Sequence, residues 1–258
     1  MTFRDGSRVR THGVAKSMKP HTVHRFDEEL ESIRDRVMGM GGFTEQQLSD
    51  TLTALMTGDG FLAEMVIEKD KRLNQMELDI DNACICLLAQ RTPVAFDLRL
   101  IIGMIKTIND LERIGDLAKE IAEITLILSG DTKSFDDFPL IREMGEQVKK
   151  MLQKGLDALT RSDTHTVTDL YKEDRRVNDH HDAILRHMLA LVVEKPDRAP
   201  HILYICRITR ALERIGDRCR NIAEYVIYMI EGRDVRHAGS VASETDSRAA
   251  LSGHHHRP

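Results

Sequence analysis

The strongest constraint on the fold of this 258-residue chain is a phrase that occurs twice. DLERIGDLAKEIAE begins at Asp110, and ALERIGDRCRNIAE begins at Ala211, so the two copies stand 101 residues apart. Both copies lie in long segments where apolar residues recur every three or four positions, which is the period of a helix with one buried face. The repeat therefore predicts an internal duplication, in which each half builds the same local structure.

Three long helical segments precede a polar stretch and three follow it. The first runs from about Phe26 to Leu55 with a kink or local break at Gly41-Gly42, and the fifth begins at a cap formed by Ser162-Asp163. The other four span about 61–89, 94–128, 141–159 and 199–231, and the fifth ends near 194. Short connections make sequential helices antiparallel neighbours. We therefore expect an all-α protein of two tandem three-helix up-down-up bundles.

Composition supports this fold class and sets the domain limits. Aromatic residues make up only 4% and Trp is absent, whereas residues that favour helices are plentiful. We expect a mobile arm over 1–20, a first bundle over 21–130, a linker over 131–138, a second bundle over 139–233 and a disordered tail over 234–258. The net charge of −5 gives no electrostatic case for binding nucleic acid. The N-terminus lacks the apolar segment of a secretory signal, so we expect a cytoplasmic protein.

The repeated phrase carries two carboxylates four residues apart, and these share one helix face about 40° apart. Such anions repel each other, and a cation held by oxygen ligands would relieve the repulsion. The preceding helix of each half offers an Asp and an Asn, also four apart. When residues are counted from turns at Thr92 and Pro196, the facing pairs are level to within two residues. The predicted metal ligands are Asp70, Asn74, Glu112 and Asp116 in the first half and Asp174, Asn178, Glu213 and Asp217 in the second.

Three further residues are weaker candidates for metal binding. By the same count, the midpoint of Glu77 and Asp81 falls nine residues out of level with the Glu112–Asp116 pair. His181 stands in the second half where Glu77 would align. Gly115 and Gly216 lie inside the repeated phrases, where close packing or metal access would explain a residue that weakens a helix. Oxygen ligation suits Mg²⁺, Mn²⁺ or iron better than Zn²⁺.

Two classes of enzyme and a metal-free adaptor are the alternatives to a metal-binding protein. A ferritin-like di-iron oxidase needs Glu-x-x-His on two helices, and no His in the chain follows Glu at that spacing. A hydrolase would need a nucleophile elbow, a phosphate loop or a His-x-x-x-His face, and the sequence contains none of them. We therefore expect no enzyme. A metal-free helical adaptor, whose acidic faces bind partners directly and pair with local arginines such as Arg113 and Arg214, remains the open alternative.

The residues around both phrases resemble the PhoU family of bacterial phosphate-signalling regulators. The stretches that carry the resemblance are RTPVAFDLRLIIGMIKTINDLERIGD in the first half and ICRITRALERIGDRCRNIAEYVIYMIEGRDVRH in the second. The resemblance runs from about 24 to 237. It implies two three-helix bundles related by pseudo-twofold symmetry, with multinuclear metal sites bound by pairs of E/D-x-x-x-D motifs. Asn74 and Asn178 replace the second carboxylate of that motif, which keeps a carbonyl oxygen but removes a negative charge.

The resemblance also implies a biological role. Members of the family are negative regulators of the phosphate-starvation response, connecting the ATPase subunit of a phosphate ABC transporter with a sensor histidine kinase. A homodimer is implied in the same way, as is a place at the inner face of the membrane, whose surface is a further candidate partner. Direct sensing of phosphate through a bound cation is left open.

Overall fold

The computed structural model describes residues 20–129 and 139–235, with side chains from 24 onward. The described residues form six long helices and no strand, which confirms the all-α prediction. The helices are α1 (Pro20–Thr57), α2 (Gly60–Arg91), α3 (Ala95–Leu128), α4 (Pro139–Arg161), α5 (Thr166–Glu194) and α6 (Ala199–Glu231), with one 3-10 turn at Pro196–Arg198. The expected arm, linker and tail lie wholly or largely outside the described residues.

Local capping chemistry explains where several helices begin and end. The Asp59 side chain accepts a hydrogen bond from the Leu62 N–H at 3.0 Å and caps α2. Gly232 ends α6 in the left-handed conformation, at φ 71°, which costs glycine little. The predicted Ser162-Asp163 cap of α5 is wrong in position. Asp163 instead bonds the backbone N–H of His165 and holds the turn, so the helix begins after His165.

Each half is a three-helix bundle in which every helix contacts the other two. The halves join through α3 against α6, the most extensive helix pair, and through α1 against α4. The largest hydrophobic cluster draws on all six helices, so the two bundles bury one continuous core between them. The hairpins α2–α3 and α5–α6 each leave one side uncovered by the third helix of their bundle.

The contact between α1 and α4 is reciprocal, as pseudo-twofold symmetry requires. A Cβ on Gly41 would lie 2.6 Å from Leu156 Cδ2, and a Cβ on Gly145 would lie 2.7 Å from Leu52 Cδ2. Each glycine lies 104 residues from the other, as does each leucine. The predicted local break at Gly41-Gly42 is wrong, because α1 continues through it, and a kink within the continuous helix stays a prediction. Gly41 serves instead to admit a leucine from the other half.

The contact between α3 and α6 contains a buried polar network. Asp110 accepts hydrogen bonds from Arg218 at 3.1 Å and from the Tyr225 hydroxyl at 2.9 Å. Burial raises the pKa of Asp110, and the bonds from Tyr225 and Arg218 oppose that rise. The repeat-equivalent positions of Asp110 and Arg218 are Ala211 and Leu117, which are both buried. The buried network therefore occupies only one side of this pseudosymmetric interface, which also carries a more exposed ion pair between Arg207 of α6 and Glu120 of α3 at 2.9 Å.

No described helix is both long enough and apolar enough to cross a membrane.

Candidate metal centres in the two helical hairpins

One ion pair in each hairpin shows which residues of the two antiparallel helices are level with each other. Lys119 on α3 donates to Asp70 on α2 at 3.0 Å, and Arg220 on α6 donates to Asp174 on α5. Lys119 and Arg220 are 101 residues apart and occupy equivalent positions in the two repeated phrases. We call the surface around Asp70, Asn74, Glu77, Glu112 and Asp116 the first groove, and the surface around Asp174, Asn178, His181, Glu213 and Asp217 the second groove.

The first groove contains buried oxygens without partners. Asp70 is 1% exposed, and its Oδ2 is held by Lys119, whereas its Oδ1 finds no hydrogen-bond partner in the described part of the chain. The Asn74 side-chain oxygen, one turn along α2, is also buried and unpaired there. An oxygen buried without a partner costs about 1–3 kcal/mol. The predicted Asp70–Asn74 pair therefore supplies two oxygens whose bonding capacity is unused.

The carboxylates of the repeated phrase in α3 repel each other. Arg113 approaches both Glu112 and Asp116, at 3.5 Å in each case, so the local pairing expected for a metal-free adaptor is present. The pKa of Glu112 is nevertheless raised, first by burial and then by the charge of Asp116, with a smaller contribution from Glu77. Arg113 is largely exposed, so its charge is screened by solvent and compensates the pair only in part.

Glu77 lies closer to this pair than the sequence count indicated. Asp70 pairs with Lys119, and Glu77 and Glu112 each lie seven residues from that pair, so they face each other across the groove. Burial and the charge of Asp81 raise the pKa of Glu77. The count failed because it used the midpoint of Glu77 and Asp81, and only Glu77 is level with Glu112.

The second groove is organised around Arg220. Its guanidinium bonds Asp174, which is 4% exposed, and lies 3.1 Å from Asp217 and 3.6 Å from Glu224. The second oxygen of Asp174, Oδ1, has no hydrogen-bond partner among the described residues. Burial raises the pKa of Asp174, Arg220 opposes this, and the charge of Asp217 adds to it.

Glu213 and His181 complete the second groove. Burial raises the pKa of Glu213, and Asp217 and Asp174 add to the rise, while Arg210 and His181 oppose it. The Arg210 guanidinium lies 3.0 Å from Glu213, which is again a local ion pair. Asn178 is half-buried on the same helix as His181. The predicted residues of each half therefore lie along one α-helical hairpin, as their spacing indicated.

Lys119 and Arg220 are the site residues that the sequence reasoning missed. The signal was present, because a basic residue follows the second carboxylate by three positions in both ERIGDLAK and ERIGDRCR. The prediction considered only the two carboxylates of each phrase and left out this basic residue. Each basic residue neutralises a buried Asp of the neighbouring helix, which a lone buried carboxylate requires.

The two glycines of the repeated phrases provide a matched stability test. A Cβ on Gly115 would lie 2.1 Å from Leu73 Cδ2 in the core, whereas the nearest atom to a Cβ on Gly216 is Val177 Cγ1 at an ordinary 3.5 Å. Alanine favours a helix interior by about 1 kcal/mol over glycine. We expect Gly216→Ala to raise the free energy of unfolding by up to about 1 kcal/mol and Gly115→Ala to lower it by about 1–3 kcal/mol. Urea denaturation of the two variants beside the parent protein measures both effects, and equal shifts would contradict the packing difference.

Both grooves present side-chain oxygens of the kind that bind metal ions, although Lys119 and Arg220 already bond the buried Asp of each groove. Within residues 24–129 and 139–235, no three His, Cys, Asp or Glu side chains are arranged to hold a metal. The unpaired oxygens of Asp70, Asn74 and Asp174 and the raised pKa values of Glu112 and Glu213 indicate incompletely compensated negative charge. A metal ion would therefore compete with the Lys119 and Arg220 side chains for the same oxygens.

Comparisons with known proteins place the chain in a family. A family model described as the PhoU domain matches residues 37–125 and again residues 141–226. The phosphate-specific transport system accessory protein PhoU of Escherichia coli (strain K12) is 41% identical over 226 residues, which cover 86% of this chain and 92% of that protein. The Caulobacter vibrioides homologue is 34% identical over 218 residues, covering 84% and 95% respectively.

A solved structure shares the fold as well as the sequence. The crystal structure of PhoU from Pseudomonas aeruginosa matches with a TM-score of 0.78 at 41% identity, and covers 81% of this chain and 100% of that one. Two matches to the family model, one in each half, agree with the duplication read from the repeated phrase. The chain is a member of the PhoU family.

Proposed function

We propose that this chain is a metal-binding adaptor that restrains the phosphate-starvation response. It would connect the ATPase subunit of a phosphate ABC transporter with a sensor histidine kinase and favour the signalling-off state when phosphate is plentiful. The support is the family, whose Escherichia coli and Pseudomonas aeruginosa members are named accessory proteins of the phosphate-specific transport system. We further propose that it acts as a homodimer in the cytoplasm, at the inner face of the membrane.

The main support for metal binding is that both halves of the chain contain the same groove. In both halves, a buried Asp with one unpaired oxygen lies on the helix that packs against a Glu-x-x-x-Asp pair, and the Glu of that pair has a raised pKa. Asp70, Asn74, Glu77, Glu112 and Asp116 would hold an ion in the first groove, and Asp174, Asn178, Glu213 and Asp217 would do so in the second. A bound divalent ion would supply a fixed positive charge that relieves the repulsion and leaves sites for further ligands.

A metal-free adaptor is the second candidate, and specific contacts favour it. Lys119 and Arg220 already neutralise the two most buried carboxylates, so a metal is not needed to balance Asp70 and Asp174. In that case the exposed parts of the grooves, with Asp116 and Asp217, would bind basic surfaces of partner proteins directly.

Metal content distinguishes the two candidates. We expect purified protein incubated with Mn²⁺, Fe²⁺ or Mg²⁺ to retain metal, as measured by elemental mass spectrometry. Glu112→Gln/Asp116→Asn and Glu213→Gln/Asp217→Asn should each lose the metal of one groove. Glu64→Gln/Glu68→Gln removes an exposed i, i+4 carboxylate pair elsewhere on α2 and should lose nothing. Metal absent from every sample would leave the metal-free adaptor.

The regulatory role is tested in cells that lack the native regulator. Expression of this chain should repress a phosphate-starvation reporter in phosphate-rich medium. The two groove variants separate the roles, because a metal-dependent adaptor loses repression together with its metal. Full derepression despite normal levels of folded parent protein would contradict the proposed regulation.

A further inference from the structure

The two grooves share four candidate ligands and differ at two positions. Residues of α5 stand 104 positions after their equivalents in α2, and residues of α6 stand 101 after those in α3. By these offsets, the Asp, the Asn and the Glu-x-x-x-Asp pair are present in both grooves. Glu77 is replaced by His181, and Asp81 is replaced by Leu185. The first groove therefore offers oxygen ligands alone, with the carboxylate of Asp81 one turn beyond Glu77 on α2, whereas the second gains an imidazole.

His181 lies where a ligand of the second groove would stand. Asp174 pairs with Arg220, and His181 and Glu213 each lie seven residues from that pair, so His181 is opposite Glu213. The charge of His181 acts on Glu213, as expected for groups facing each other across the groove. Glu77, the repeat-equivalent of His181, takes the same position opposite Glu112, where its charge raises the pKa of Glu112.

The His181 side chain is also buried with one ring nitrogen that makes no hydrogen bond. The residue is 8% exposed, and its Nδ1 has no hydrogen-bond partner in the described ranges. Buried polar atoms are almost always paired, so the unpaired ring nitrogen of His181, on the helix face opposite Glu213, has unused capacity to bind a ligand.

The chemistry of the donors differs accordingly. Carboxylate and carbonyl oxygens suit Mg²⁺ and Mn²⁺, whereas imidazole suits Zn²⁺, iron and other transition-metal ions. Mg²⁺ gives up its water reluctantly and seldom takes nitrogen ligands in proteins. We infer that the second groove selects an ion that binds imidazole well, such as Zn²⁺ or iron, with His181 as its nitrogen ligand, while the first groove selects Mg²⁺ or Mn²⁺. This inference rests on the proposed metal binding and assigns different ions to the two halves.

Zinc retention in a large excess of Mg²⁺ tests the inference. Every sample carries His254→Ala, His255→Ala and His256→Ala, because three consecutive histidines would bind zinc themselves. The full chain should then retain a single zinc ion, measured by elemental mass spectrometry after dialysis. His181→Gln should weaken zinc binding by more than about 10-fold, because losing even an outer-shell partner of a metal ligand costs about 10–100-fold. Glu77→His should add a second retained zinc ion, because it gives the first groove the same nitrogen donor.

A neighbouring histidine supplies the matched control. His180 precedes His181 on α5, and its Nε2 lies 4.0 Å from Glu143 of α4. His180→Gln should therefore leave zinc affinity unchanged. Co²⁺ provides an independent readout, since its visible absorption bands should shift when His181→Gln removes a nitrogen ligand.

The outcomes separate this inference from the proposed function. Zinc affinity that survives His181→Gln but falls in Glu213→Gln/Asp217→Asn would overturn the role of His181 and keep metal binding. Metal content that no groove variant changes would overturn both. Zinc lost on His181→Gln, with Mn²⁺ retained by the first groove, is the result that supports two differently selective sites.

Discussion

Arg220→Leu is expected to lower the free energy of unfolding by about 3–5 kcal/mol in buffer free of metal. The guanidinium bonds buried Asp174 and lies within 4 Å of both Asp217 and Glu224, and Glu224 is itself 3% exposed. Removing it leaves three neighbouring carboxylates without their shared counter-charge. Leucine retains the aliphatic part of the side chain, so the loss reports the charge rather than a cavity. Urea denaturation at neutral pH measures the change.

Two comparisons make this prediction specific. Arg113 also contacts two carboxylates, but it is 63% exposed, so Arg113→Leu should cost less than about 1 kcal/mol. Lys119→Leu should cost less than Arg220→Leu, because Lys119 bonds only Asp70 among the described side chains. Equal losses for Arg113→Leu and Arg220→Leu would show that burial does not govern these pairs.

The pH dependence of the same variant has a definite sign. Burial already raises the pKa values of Asp174 and Glu213 in the parent protein, and removal of Arg220 raises that of Asp174 further. An acid whose folded pKa exceeds its unfolded value, about 4, stabilises the fold at low pH and loses that contribution as the pH rises through the folded pKa. The deficit of Arg220→Leu should therefore shrink as the pH falls from 7 toward about 5. A deficit in the free energy of unfolding that grows as the pH falls would contradict a raised pKa of Asp174 in the variant.

Periodicity and the repeated phrase were sufficient to predict the helices, their order and the duplication. α6 begins and ends at the predicted residues, Ala199 and Glu231, because apolar spacing persists throughout and Gly232 stops the helix. The Gly41-Gly42 break was wrong for a physical reason. A glycine inside a helix weakens it locally, but Gly41 is placed by a tertiary contact with Leu156, whose position no local pattern reveals.

The sequence was sufficient to predict which residues lie in the two grooves, but not which side chains are level with each other across each hairpin. Counting from the turns placed the predicted pairs on the same hairpin, because antiparallel helices of equal rise stay in step, but Asp70 is level with Lys119 and Glu112 is level with Glu77. The count could not tell which side chains bond, so it missed Lys119 on Asp70 and misplaced Glu77 relative to Glu112. Whether any of these residues binds metal stays a prediction until metal content is measured.

The interface between the halves raises a different question, because its polar network is absent from the equivalent side. An apolar, pseudosymmetric helix pair can slide by a turn at little cost, since similar leucines and isoleucines then meet. The Asp110–Arg218–Tyr225 contacts at 3.1 and 2.9 Å exist in only one alignment of α3 against α6. We interpret the network as the feature that specifies this alignment, at some cost in stability.

Arg218→Met is therefore expected to lower the free energy of unfolding by about 3–5 kcal/mol, because it leaves the buried Asp110 carboxylate without its counter-charge. Tyr225→Phe removes a single hydrogen bond to the same carboxylate and should cost about 1.5–3 kcal/mol. The double variant Asp110→Leu/Arg218→Met replaces the pair by apolar side chains and should recover most of the loss. Urea denaturation of the parent protein, Asp110→Leu, Arg218→Met and the double variant gives the coupling energy of Asp110 with Arg218.

Hydrogen exchange separates alignment from stability in that double variant. If the network specifies the alignment, backbone amides of α3 and α6 should exchange faster in Asp110→Leu/Arg218→Met than in the parent protein, even at matched overall stability. The amides of α2 and α5, which lie away from this interface, should keep their protection. Unchanged protection in α3 and α6, together with recovered stability, would mean that the remaining contacts, apolar packing and the Arg207–Glu120 ion pair, fix how the two halves meet.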